Sequence, residues 1–204
     1  MAEFLPDDRP RMALVSHLVI KHSNGAAGLT VLDLACRNGS FCHALASQGH
    51  WVTGIEGRQS NLDKAHVHPN IEYQLGDIRD LGLDVEYDVT LCLGLLYHLT
   101  AQDALDLLRT LHVVTRQFVI LDTHISTAEE EVDVEGHTFY GHSYPEPEGD
   151  WSSIKNETSW WFTEGSLQGL LGLAGWQRFA LVNSPEGAAP DRRWFVLFKE
   201  DDVA

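Results

Sequence analysis

Positive charge is scarce in this chain. Across 204 residues, 14 Lys and Arg stand against 30 Asp and Glu, a formal net charge of −16. Phosphate backbones are held by basic patches, so this balance argues against a nucleic-acid partner. Cysteine is scarce too. Cys36, Cys42 and Cys92 are odd in number, lack zinc-ligand spacing, and read as reduced, buried small side chains. No apolar run approaches the roughly 20 residues that span a bilayer, so no membrane partner is expected. The opening MAEFLPDDRPRM has acids and prolines where a secretory signal would have a basic and then an apolar region. A cytoplasmic location is the expectation. Repeats and linkers are absent, and the length suits one domain, 1–204.

What the chain does have is alternation. Residues 30–36 form an apolar run that ends in a small-residue turn, and helical spacing follows over 40–48. The pattern repeats with strands at 50–56, 71–75, 87–93 and 117–124. Thr100-x-x-Asp103 and Ser60-x-x-Asp63 read as capping boxes opening helices. A helix over 11–21 makes residues 1–29 an N-terminal helical cap. Thr163 opens a late helix that ends before Gly175, and strands are expected at 176–182 and 193–199. Strand–helix alternation implies an α/β fold, a doubly wound, mostly parallel seven-stranded sheet with an antiparallel edge strand. An insertion follows strand five over 126–162. It reads as a long loop with a solvated glutamate run at 129–131 and many aromatics, which suits a lid on the substrate side.

These landmarks resemble a class I S-adenosylmethionine (SAM) methyltransferase, with its Rossmann-like sheet. VLDLACRNGSF resembles the family's first motif, and VTGIEG supplies the acid closing strand two. QLGDIRDL and YDVTLCLGLLYHL resemble the third and fourth landmarks, and FTEGSLQGLLGLAGWQRFALV the late helix–strand segment. The resemblance implies SAM as cofactor and a cofactor site of Asp33, Ala35, Gly39, Glu56, Asp77, Ile78 and Leu93. Glu56 is placed for the ribose hydroxyls. Asp77 and the amide of Ile78 are placed for adenine, and Leu93 for the methionine part. The family usually has glycine where this chain has Ala35 and Arg37. Arg37 is the sharper departure, because a side chain resists positive φ. Either the turn tolerates it, or Arg37 reaches over the cofactor or substrate. LGLLYHL and WWFT-like segments recur in a branch whose members act on sugars and natural products or on wobble uridine in tRNA. The acidity favours the small molecule.

Methyl transfer needs an aligned nucleophile and often a base. His98 follows strand four, and Asp122 and His124 close strand five on one face, so all three are catalytic candidates. Asp122 and His124, with Glu157, are also a candidate ligand set for a divalent cation such as Mg2+. Tyr97, His137, Tyr140, His142, Trp160 and Trp161 are candidate substrate contacts, with Tyr144 and Trp151 beside them. The leading expectation is O-methylation of a small metabolite, of saccharide or glycosylated natural-product type. Carboxylate or amine methylation, and a non-catalytic SAM-binding module, are the alternatives. The insertion and the terminal strands are candidate surfaces for a homodimer.

Overall fold

The computed structural model describes residues 8–82, 85–146, 149 and 153–200. Helix α1 (Asp8–His22) leads into β1 (Thr30–Leu34), α2 (Ser40–Ala46), β2 (Trp51–Glu56), the short α3 (Gln59–Leu62) and β3 (Ile71–Leu75). Then β4 (Tyr87–Leu93) runs into a 3-10 turn (Leu96–His98), α4 (Ala101–Val114) and β5 (Thr115–His124). The insertion holds β6 (Glu130–Val134), β7 (His137–Pro145) and β8 (Thr158–Phe162). Helix α5 (Glu164–Leu173), β9 (Arg178–Val182) and β10 (Arg192–Phe198) complete the order.

The seven-stranded sheet runs β3-β2-β1-β4-β5-β10-β9. Strands β1 to β5 pair in parallel, and β10 is antiparallel to both β5 and β9. The chain fills one side of β1 with β2 and β3, then crosses to β4 on the other side. The carboxyl ends of β1 and β4 therefore border a crevice where the strand order reverses.

Side chains alternate between two covered faces. Val31, Val89, Leu91, Phe118 and Ile120 pack beneath α1 and α2, against Val15, Leu18 and Leu45. Leu32, Leu34, Cys92, Val119 and Leu121 point the other way, against Leu105, Leu108 and Leu111 of α4 and Leu167 and Leu170 of α5. Each fully buried leucine of this kind contributes on the order of 2 kcal/mol, which explains why these strands read as nearly continuous apolar runs.

Local signals settle the helix starts. Thr100 Oγ1 accepts from Asp103 N at 3.1 Å, and Thr163 Oγ1 accepts from Ser166 N at 3.3 Å, as their positions predicted. The Ser60 capping box does not form. Helix α3 already begins at Gln59, and the Asp63 carboxylate accepts from Gln59 Nε2 at 2.9 Å instead.

The expectation of a loop over the insertion is corrected. It is a three-stranded antiparallel sheet, β6-β7-β8. The glutamate run begins a strand with a period of two, in which Val134 is buried against the core and Glu131 and Asp133 are exposed. A bridge between Ser126 and Thr163, and a bond from Trp160 N to Leu99 O at 2.8 Å, fix this small sheet over the 3-10 turn.

Candidate active site

A cavity of about 340 Å3 opens at the carboxyl ends of the parallel strands. The loop after β1 lines it with Ala35 and Arg37, and the loop after β2 with Glu56, Gly57 and Arg58. Asp77, Ile78 and Arg79 follow β3. Leu93, Gly94, Tyr97 and His98 come from the end of β4 and its 3-10 turn.

Glu56 organises the first half. The residue is 3% exposed, its carboxylate accepting from Arg37 N at 2.9 Å through Oε2 and from Arg58 N at 2.8 Å through Oε1. Two turns are thus tied to one carboxylate, whose other lone pairs are left for a ligand. The first turn takes positive φ at Ala35 (54°), Arg37 (53°) and Gly39 (71°). Arg37 therefore adopts the conformation its side chain disfavours, and the bond to Glu56 holds it there.

Asp77 is turned to a neighbour. Arg79 Nη2 meets its Oδ2 at 2.8 Å and Arg79 Nε its Oδ1 at 2.9 Å, with Lys155 Nζ at 3.2 Å. These hydrogen bonds hold the Asp77 carboxyl well below the usual carboxylate range. Arg79 Nη2 also donates to Ile154 O and Arg79 Nη1 to Asn156 Oδ1, so it binds residues 154–156 to the β3 loop. Ile78 and Leu93 line the cavity as expected.

Two expected cofactor residues stand back from it. Asp33 is 2% exposed, behind the turn, where the Cys42 thiol donates to its Oδ2 at 3.1 Å. Burial pushes its carboxyl up to about 7. It borders only a small adjoining recess with Arg37 and Phe41. Gly39 is needed for packing, because a Cβ there would land on the Tyr73 hydroxyl.

The second half gathers the catalytic candidates. His98 lines the cavity, and its Nδ1 lies 3.1 and 3.2 Å from the two carboxylate oxygens of Glu146. Burial lowers the His98 pKa, and the Glu146 charge opposes that shift. The Tyr97 ring sits 4.3 Å from that of His98.

Asp122 and His124 share a face, as their spacing required, but what they share is Arg192. Arg192 Nη2 donates to Asp122 Oδ2 at 2.9 Å, Arg192 Nε donates to Oδ1, and Arg11 Nη2 reaches Oδ2 at 2.7 Å. His124 Nδ1 meets Asp191 at 2.9 Å and its Nε2 meets Arg192 at 3.2 Å. Both ring nitrogens are taken, so His124 is not an open base. The cation site is corrected on the same ground. Two guanidinium groups already neutralise fully buried Asp122, and Glu157 is an exposed residue whose backbone oxygen accepts from Glu146 N. Among the described residues no three His, Cys, Asp or Glu side chains converge on a cation position.

The insertion's aromatics divide into two groups. Trp161 stacks on His124 (5.0 Å, 20°) and on Tyr144 (4.9 Å, 20°), and meets Tyr97 edge-on at 5.5 Å and His142 at 5.7 Å. Tyr140 continues this face of β7, 42% exposed. Trp160 and His137 are corrected. Trp160 faces the core with Phe162, because neighbours on a strand alternate. His137 lies exposed at the far tip of the β6–β7 hairpin, beside the Glu135–Arg109 ion pair. Trp151 lies outside the described residues. Glu146, Arg192, Arg58 and Arg79 were not anticipated. Arg58, Arg79 and Arg192 line the cavity, the first two beside or within the strand-end landmarks, while Glu146 reaches His98 from the end of β7.

Comparison with known proteins agrees with this geometry. A family described as a methyltransferase domain matches residues 31–117, from β1 into β5. The ubiquinone biosynthesis O-methyltransferase of Rickettsia felis is 31% identical over 93 residues, 43% of this chain and 38% of that enzyme. The corresponding Coxiella burnetii enzyme is 39% identical over 77 residues, 35% of this chain and 33% of that enzyme. The chain thus spans well under half the length of these curated relatives. Among solved structures, the N-terminal domain of EvdMO1, determined with SAH and D-fucose, superposes with a TM-score of 0.75 at 24% identity. That superposition covers 92% of this chain and 81% of the other. Magnesium protoporphyrin IX methyltransferase from Synechocystis PCC 6803, with bound SAM, gives 0.62 at 18% identity over 94% and 80%. The ordered landmarks, the strand order and these comparisons converge: the chain matches a methyltransferase domain over residues 31–117 and has the fold of the class I S-adenosylmethionine-dependent methyltransferases to which it is similar.

Proposed function

We propose that this protein moves a methyl group from SAM to a hydroxyl of a small metabolite, of saccharide or glycosylated natural-product type, with His98 as the general base. The observation that carries the reading is the position of His98. It stands on the wall of the same cavity that Glu56 lines. The cavity fits the cofactor's chemistry. Glu56 has lone pairs for ribose hydroxyls, Ile78 and Leu93 offer apolar walls, and the volume lies within the range of small-molecule sites. When bound, SAM supplies an already activated methyl group.

The chain's own work is to orient the acceptor and manage its proton. His98 takes the proton from the acceptor hydroxyl as that oxygen takes up the methyl group. Burial of His98 disfavours imidazolium, so the ring is held neutral and able to accept near neutral pH. Tyr97 and the Trp161–Tyr144–His142 face extend outward from His98 as a surface for a ring-shaped acceptor. The ubiquinone O-methyltransferases among the relatives, and the neighbour solved with D-fucose, support oxygen as the methylated atom and a sugar-like acceptor. The net charge of −16 supports a small molecule over tRNA.

The test is SAH formation against a panel of hydroxylated metabolites, with amines, carboxylic acids and tRNA as competitors. Turnover is expected on hydroxyl compounds and unchanged by EDTA. His98→Ala should lower kcat on the order of 10²-fold while SAM affinity stays within about threefold. Turnover confined to amines, acids or tRNA, or an unimpaired His98→Ala enzyme, would overturn the reading.

A further inference from the structure

A histidine can serve as base through Nε2 only if its proton rests on Nδ1, and the solvent-side tautomer does not arrange this by itself. In this fold the partner for Nδ1 comes from elsewhere in the chain. Glu146 follows β7 and lies 48 residues from His98. Its side chain is 2% exposed, against 22% for His98. Both carboxylate oxygens are within 3.2 Å of Nδ1. The carboxylate is itself held, since Oε2 accepts from Ser153 N at 2.9 Å. The backbone of Glu146 is pinned by its N–H to Glu157 O at 2.9 Å. From the same segment, Asn156 Nδ2 donates to His98 O at 3.0 Å. The insertion thus grips His98 at its ring and at its carbonyl.

We infer that Glu146 is the positioning residue for His98. It accepts the Nδ1 proton, fixes the tautomer that leaves Nε2 to the cavity, and stabilises the imidazolium formed when the acceptor hydroxyl gives up its proton. This role rests on the reading of His98 as the base. The insertion thereby does more than bound the acceptor: it completes the base, and a chain lacking β7 would carry a histidine with no fixed proton. Among the described residues, the other polar and charged groups facing the ring are Tyr97 on the 3-10 turn, His124 on β5 and Arg192 on β10. The Arg192 guanidinium opposes a second positive charge there, so the carboxylate of Glu146 is the group that favours imidazolium.

The decisive measurement needs no acceptor. In the full chain with bound SAH, 15N ring signals of the histidines, assigned by loss of one set in His98→Ala, report tautomer and titration. Wild-type His98 is expected with its proton on Nδ1 above its titration range. Glu146→Gln is expected to lose that preference and to titrate at lower pH, because the carboxylate charge is gone. Retention of the Nε2–H tautomer by wild-type His98, or an unchanged titration in Glu146→Gln, would overturn the inference. The wild-type tautomer decides the matter even if the variant folds poorly. With an acceptor in hand, Glu146→Gln should lower kcat at least tenfold with little change in SAM KM, its acid limb moving to lower pH. Combined with His98→Ala it should add nothing. A disabling His98→Ala beside a silent Glu146→Gln removes this role alone, whereas a silent His98→Ala removes the base.

Discussion

At the scale of single residues, Glu56 decides whether the cavity exists. Each of its oxygens accepts a backbone N–H from a different loop, at 2.9 Å and 2.8 Å. A glutamine keeps the shape but presents an N–H2 group to one of those donors. Glu56→Gln should therefore cost about 1–3 kcal/mol, the penalty for a buried donor left without an acceptor. SAM affinity by calorimetry should fall more than tenfold. Unchanged affinity would mean that Glu56 does no more than brace the loops. The sequence pointed to Glu56 because a strand-end acid about 20 residues beyond the turn has few other reasons to be there. It also marked Arg37 as the discordant residue. A left-handed conformation costs a non-glycine residue about 1–2 kcal/mol, and Arg37 takes it at φ 53° because only then does its N–H meet the Glu56 carboxylate. That compensation belongs to a partner 19 residues away and is invisible in the turn itself.

At the scale of elements, two layers do separable jobs. The parallel strand ends build the cavity, while the small sheet supplies Trp161, which lies outside the cavity lining. Trp161 contacts Tyr97, His124 and Tyr144, so Trp161→Ala removes a stacking surface next to His98. The expected result is about a tenfold rise in acceptor KM, the size of one lost aromatic contact, with SAM affinity unchanged. Parallel losses in both would show that the insertion supports the whole fold. The same division explains what could be read in advance. Strands β1, β4 and β5 are buried on both faces, and α4 and α5 carry real caps, so local pattern was enough. Strand β7, HTFYGHSYP, is rich in turn-forming residues and owes its extension to cross-strand partners such as Trp161 opposite His142. The Arg192–Asp122 and Glu146–His98 pairs span 70 and 48 residues, so no window of sequence contained them. Asp122 closes β5 as its position in the sequence implied, but the guanidinium groups that occupy it come from α1 and β10, which no local pattern shows.

At the scale of the whole molecule, the charge is segregated. Arg11, Arg37, Arg58, Arg79 and Arg192 all line the cavity, although the chain has only 14 basic residues and a net charge of −16. The exterior is therefore more acidic than composition implies, and the cavity less so. Asp33 lies between the two, sealed behind the first turn, and it couples this arrangement to pH. Its native carboxyl titrates at about 7, raised chiefly by burial, whereas in the unfolded chain it would titrate near 3.8. Between those values the native state holds a proton that the unfolded state has released. Stability from this group is thus complete below about pH 4, falls as pH rises toward 7, and levels off above that. Asparagine has the same shape, cannot ionise, and still offers an oxygen to the Cys42 thiol. The expected outcome is that Asp33→Asn gains stability relative to wild type as pH increases from 4.5 to 7.5, then holds a constant advantage. Urea midpoints of the two proteins at each pH check it, since every other titrating group is common to both and cancels in the difference. A difference that stays flat across that interval would mean Asp33 is ionised in the native state throughout, with Arg11 compensating its charge more strongly than burial opposes it.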